Sequence, residues 1–109
     1  MTVTEIVNYS SFQAFVARHP VTVVDCYTTW CGPCKVLAPA FAKLAEKNAG
    51  HAAFAKVNIE NVGEVATVLN IASIPTILVF KNGRIADRVE GADMGKIQMA
   101  VARHTGGAR

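Results

Sequence analysis

Apolar positions along the chain follow two alternating rhythms, and the switches between them mark nine segments. "TVTEIV" at the N-terminus alternates weakly and predicts a first strand. "SSFQAFVARHP" places Phe12, Phe15 and Val16 on one helical face, with Ser10 or Ser11 as cap and Pro20 as stop. "VTVVDCY" is nearly continuous, apolar and β-branched, as expected of a strand buried on both faces. The longest helix follows. Pro33 sits where a first-turn proline is tolerated, Leu37, Phe41, Leu44 and Ala45 form the stripe, and Gly50 marks the end. Pro39 inside it removes one backbone hydrogen bond and is expected to bend the axis.

"AAFAKVNI" predicts another buried strand, and "NVGEVATVLN" a helix with Val62, Val65, Ala66 and Leu69 on one side. "TILVF" and "RIADRVE" flank "KNGR", whose Asn-Gly supplies the positive φ values of a tight antiparallel hairpin. "ADMGKIQMAVARH" closes the chain as a helix capped by Asp93, with Met94, Ile97 and Val101 inward and Met99 also packing; the tail "TGGAR" reads as loose. The order is βαβαβαββα. Strands joined through helices should be mostly parallel, and the last hairpin should add an antiparallel edge. The fold class is α/β, a central mixed sheet of about five strands between two layers of about four helices.

Length and composition narrow the function. Residues 1–109 make one domain, and at 51% apolar the chain is too hydrophobic for disorder. A domain this size buries about two-thirds of its unfolded surface, so it needs no disulfide staple. The net charge of +3 comes from scattered Lys and Arg without the clustering a nucleic acid requires. No run of about 18 apolar residues predicts a membrane span. The N-terminus "MTVTEIVNYSSF" lacks the charged and apolar regions of a signal peptide, so a reducing, cytoplasmic setting is expected. There a CxxC is redox-active or metal-binding rather than structural.

All three cysteines fall within "DCYTTWCGPCKVLAP". Cys31 starts the long helix and Cys34 lies one turn inside it, on the same face. Their Cβ atoms should be about 5–6 Å apart, within reach of a disulfide after a small adjustment. Unpaired N–H groups and the partial positive charge of the helix N-terminus favour a Cys31 thiolate, the attacking species in disulfide exchange, and Lys35 adds a weaker contribution. Cys34, deeper in the turn, should be less exposed and keep its proton. Cys31 then attacks and Cys34 resolves. Gly32 and Pro33 bring no charge to stabilise the thiolate further, so the pair should be a reductant rather than an oxidase or isomerase. Zinc would need four ligands, and the chain has no second CxxC.

"WCGPCK" on a strand-to-helix turn, "SIPT" some forty residues later and then "FKNG" together resemble the thioredoxin family, over essentially the whole chain. A lowered cysteine pKa and a redox-poised dithiol are known traits of that family, so the chemistry read above and the resemblance are not independent. The resemblance implies a protein-disulfide reductase that cycles a Cys31–Cys34 disulfide, accepts electrons from an NADPH-linked thioredoxin reductase and reduces disulfides in target proteins. It implies a monomer that itself carries no cofactor or metal and serves cell redox homeostasis. Within the same fold, a non-catalytic thioredoxin-like binding subunit and a disulfide isomerase or oxidase remain open.

By position, Asp25 matches the family's buried acid, which assists proton transfer at Cys34, and Lys56 the lysine that pulls its pKa back down. Burial of Asp25 on a strand would raise its pKa and suit it to act as a base. The alternative is a strand-end carboxylate that merely pairs with Lys56. Pro75 matches the family's cis-proline, leaving the backbone of Ile74 to pair with an extended substrate segment. Trp30, Ile74, Gly91 and Ala92 would form an apolar rim around Cys31, with Gly32 and Pro33 between the cysteines also meeting substrate. The chain departs from common family residues at Cys26, Tyr27, Thr28 and Glu60. Cys26 should face away from Asp25 as a buried, inert thiol.

Overall fold

The computed structural model describes residues 3–106, so Thr2 of the first predicted strand and most of the tail lie outside the described residues. The elements follow the expected order: β1 (Val3–Ile6), α1 (Tyr9–Arg18), β2 (Val21–Tyr27), α2 (Gly32–Lys47), β3 (Ala53–Asn58), α3 (Gly63–Val68), β4 (Thr76–Lys81), β5 (Arg84–Glu90) and α4 (Met94–His104). One five-stranded sheet runs β1-β3-β2-β4-β5. Leu37, Phe41 and Leu44 of α2 and Ile97, Ala100 and Val101 of α4 pack on Val23, Phe54, Ile77 and Val79 of one face. Phe12 and Phe15 of α1 and Val65 of α3 pack on Val24, Cys26, Val57 and Leu78 of the other.

Strand direction departs from expectation. β1 and β2 run parallel to β3, but β4 runs antiparallel to β2 although a helix precedes it, and β5 is antiparallel to β4. Helix α3 has only six residues, about 9 Å, and the chain enters β4 without first returning along the sheet. β4 therefore starts at the end of the sheet where β3 stops. That end is also where β2 stops, with Thr76 opposite Cys26. This direction brings Pro75 beside the segment that leads into Cys31.

Several local details differ from the sequence reading. Neither Ser10 nor Ser11 caps α1; extended Asn8 does, its Oδ1 accepting the Ser11 N–H at 2.8 Å. Asn8→Ala is expected to cost about 1 kcal/mol in chemical denaturation, and Ser10→Ala, which removes no capping acceptor, much less. Helix α2 runs through Pro39 but stops at Lys47, short of Gly50. Buried Asn48 closes it with its side-chain amide on the Leu44 carbonyl at 2.9 Å, and Gly50 at φ +83° turns the chain towards β3. Val62 and Leu69 flank α3 rather than lie in it. Met99 is 63% exposed, because the inward stripe of α4 is Ile97, Ala100 and Val101 and Met99 falls outside it. The hairpin forms as expected, with Asn82 at φ 52° and Gly83 at φ 82°.

Candidate active site

Three chain segments meet at the C-terminal end of β2. The first is the turn into α2. Cys31 is the N-cap of that helix, its Sγ accepting the Cys34 N–H at 3.2 Å. Gly32 and Pro33 form the exposed start of the first turn. Cys31 and Cys34 are joined in a disulfide with Cα atoms 5.3 Å apart, as the i, i+3 spacing allows.

The expected difference in exposure between the two cysteines is not there: each is 4% exposed. Once bonded, each sulfur shields the other. What separates them is position. Cys31 sits at the helix terminus beside exposed Trp30, whereas Cys34 faces a cavity of about 330 Å³ behind the dithiol. Asp25, Tyr27, Thr28, Lys35, Ala38 and Lys56 help to line that cavity.

Asp25 is buried near the end of β2, on the face covered by α2. Burial, acting against the charge of Lys56, raises its pKa to about 7, and Glu5 adds to the rise. Asp25 Oδ1 and Thr28 Oγ1 make no hydrogen bond within the protein, and both residues line the same cavity. Two unpaired oxygens beside one space are the kind of groups that a buried water satisfies. Lys56 is the register partner of Asp25 across β2 and β3, yet its ammonium pairs with Glu5 Oε1 at 3.8 Å. Asp25 and Lys56 thus make no direct ion pair here, and the lysine acts on the carboxyl only through its charge.

The second segment is the loop before β4. The Ile74–Pro75 peptide is cis, Pro75 is buried and Ile74 partly exposed. Ile74 and Trp30 line one shallow cleft of about 290 Å³ with Glu60. Trp30 is 67% exposed, and its indole N–H donates to Glu60 Oε2 at 2.7 Å, which orients the ring. The third segment follows β5. The Gly91 N–H donates to the Pro75 carbonyl at 2.8 Å, placing Gly91 and exposed Ala92 beside the proline loop.

The structure thus draws the sequence-predicted residues to one end of the sheet. It adds Glu60 as the partner of Trp30, and Glu5 and Thr28 around Asp25. Sequence reasoning marked Glu60, Tyr27 and Thr28 only as departures from the family and passed over Glu5. Only the register of β1 on β3, which no local pattern carries, places Glu5 opposite Lys56. Cys26 is fully buried on the opposite face, where burial drives its thiol pKa far up.

A thioredoxin family model matches residues 3–103. Thioredoxin-1 of Saccharomyces cerevisiae is 39% identical over 100 residues, covering 92% of this chain and 96% of the relative. Thioredoxin of Malassezia sympodialis is 38% identical over 101 residues, with 92% and 96% covered. Its crystal structure superposes with a TM-score of 0.88 over 94% of this chain and 90% of that one. A Plasmodium falciparum thioredoxin structure, 29% identical, gives 0.89 over 93% and 98%. With a cysteine pair bonded at a helix N-terminus and this breadth of likeness, the chain belongs to the thioredoxin family of thiol–disulfide oxidoreductases.

Proposed function

We propose that the protein reduces disulfides in other proteins by the following division of labour. The Cys31 thiolate, stabilised by the N-terminus of α2, attacks one sulfur of a target disulfide. A Cys31–target disulfide forms, and the other target sulfur leaves as a thiolate that takes up a proton. The Cys34 thiol passes its proton across the cavity to the Asp25 carboxylate and attacks Cys31 Sγ. The mixed disulfide breaks, the second target sulfur leaves and is protonated, and the Cys31–Cys34 disulfide remains. Two electrons have moved from the dithiol to the target. Lys56 tempers the basicity of Asp25. Trp30, Ile74, Gly91 and Ala92 seat the target segment beside Pro75, and exposed Gly32 and Pro33 meet it next to Cys31.

The observation that carries this reading is the shared cavity, which places Cys34 and a buried carboxyl titrating at about 7 in one space. A base titrating near the working pH can both accept and return a proton. An NADPH-linked thioredoxin reductase returns electrons to the disulfide, making the protein an electron carrier in redox homeostasis. It acts as a monomer in the cytoplasm. That setting suits Cys26, a buried thiol outside the disulfide, and among the described residues no helix is long and apolar enough to cross a membrane.

The alkylation rate of Cys31 in the reduced protein, followed against pH, tests the first step. The midpoint should fall below that of free cysteine, about 8.5. A midpoint at or above that value removes the helix terminus as activator. Insulin reduction tests turnover, and a binding subunit without catalysis would show none. A reduction potential as oxidising as that of an oxidase would sink the reductant reading.

A further inference from the structure

Glu5, Lys56 and Asp25 stand in one row across three neighbouring strands. β3 lies between β1 and β2, and its Lys56 is in register with Glu5 on one side and Asp25 on the other. Residues in register present their side chains to the same face, so the lysine has a carboxyl group on each flank. The two flanks are not equivalent. On the β1 side, the Tyr27 hydroxyl donates to the Glu5 carboxylate at 3.0 Å from each oxygen. Lys56 Nζ lies 3.8 Å from Glu5 Oε1 and 5.9 Å from the centre of the Tyr27 ring. On the β2 side, Asp25 Oδ1 has no hydrogen bond.

We propose that Glu5, fixed by Tyr27, is a positioning residue for proton transfer: it draws the Lys56 ammonium to the β1 flank and so sets how strongly Asp25 grips its proton. The inference rests on the role of Asp25 proposed above and extends it to residues that never touch the thiols. The charged and titratable groups around Asp25 are few. Lys56 faces it from β3, Glu5 stands beyond Lys56 on β1, Tyr27 lies two residues along β2, and α2 contributes Cys34 and Lys35 to the cavity wall. From β4 its register partner is apolar Ile77. Burial, attraction to Lys56 and repulsion from Glu5 are the three influences on its proton affinity, in that order. Removing the Glu5 charge acts twice in one direction. It deletes a repulsion, and it frees the ammonium to swing towards Asp25. Both lower the proton affinity of Asp25.

The test is a carbon-13 NMR titration of the Asp25 carboxyl in the oxidised protein, where the disulfide removes both active-site thiols from the titration. Glu5→Gln should move the midpoint to lower pH by about half a pH unit, the scale expected of one half-exposed charge at this range. Tyr27→Phe, which unlatches Glu5 but keeps its charge, should move it the same way by less. In a Lys56→Met background Glu5→Gln should move the midpoint by less, because only the direct repulsion is then removed. The rate readout is release of an aromatic thiol from a preformed Cys31 mixed disulfide, in which Cys31 itself cannot titrate. Its acidic limb should move down with the carboxyl midpoint. A midpoint that stays in place or rises in Glu5→Gln overturns the latch and leaves the role of Asp25 standing. A midpoint that moves while the rate profile does not removes Asp25 as the proton acceptor, and the positioning role falls with it.

Discussion

Cys34→Ser is expected to reduce steady-state disulfide reduction by about 10³-fold or more while the first attack continues. The reasoning is one of effective concentration. Cys34 lies one helical turn from Cys31, already bonded to it in the oxidised form. A well-oriented intramolecular group reacts as though present at about 10⁵ M or above, whereas an external thiol at millimolar concentration must find the same sulfur by diffusion. Serine keeps the shape of the side chain and the Cys34 N–H that Cys31 Sγ accepts, so α2 should keep its cap. The variant should therefore consume one equivalent of target and stop, and non-reducing electrophoresis should show it bonded through Cys31. Turnover of insulin at the parent rate would remove Cys34 from the resolving step.

Asp25→Asn should slow exchange and stabilise the fold together, an unusual pairing that marks a buried charge kept for function. Release from the mixed disulfide at pH 7 should slow by roughly 10- to 100-fold. That is at or below the low end of what a positioned base contributes, because water in the cavity can replace part of it. The stability effect has a definite dependence on pH. Burial raises the Asp25 pKa from 3.8 to about 7, so between those values the native state holds a proton that the unfolded chain has released. Stability from this group is therefore lost as pH rises from about 4, and the loss is complete above about 7. A shift of that size corresponds to about 4 kcal/mol. Asparagine avoids the charge but buries an amide that needs partners, at about 1–3 kcal/mol. Denaturation at pH 8 should then show the variant more stable by about 1–3 kcal/mol, and at pH 4 no more stable than the parent. A stability difference that is flat from pH 4 to 8 would mean that Asp25 carries no buried charge.

Much of the fold was legible because its signals are local. The apolar periods of Phe12–Val16, Leu37–Ala45 and Ile97–Val101 belong to single helices, and Asn82-Gly83 carries its own turn geometry. The misjudged details were those where near-equivalent residues compete. Asn8 stands close to Ser10 and Ser11 and takes the cap, and Asn48 ends α2 ahead of Gly50. The direction of β4 was missed because it depends on which end of the sheet the chain re-enters, and that is decided by pairing with β2. A helical pattern shows that α3 exists, but not how far it carries the chain.

The site divides in the same way. Cys31 and Cys34 were legible as a working pair because their chemistry comes from one helix terminus and one turn of spacing. Pro75, Gly91 and Ala92 were named through the family likeness, since the sequence holds them far from the cysteines. The pairing of β4 with β2 and the Gly91–Pro75 hydrogen bond bring them together. Asp25 lies between the two cases. Its identity and its place on an apolar strand come from the chain, but its proton affinity depends on burial under α2 and on a row of charges formed by three strands. Residues 5, 25 and 56 meet through strand register, a property of paired backbones that no stretch of sequence carries alone. The chain's own order thus determines that two thiols share one turn of a helix terminus, and only the packed sheet decides which charges surround the carboxyl of Asp25, because register is set by pairing between strands.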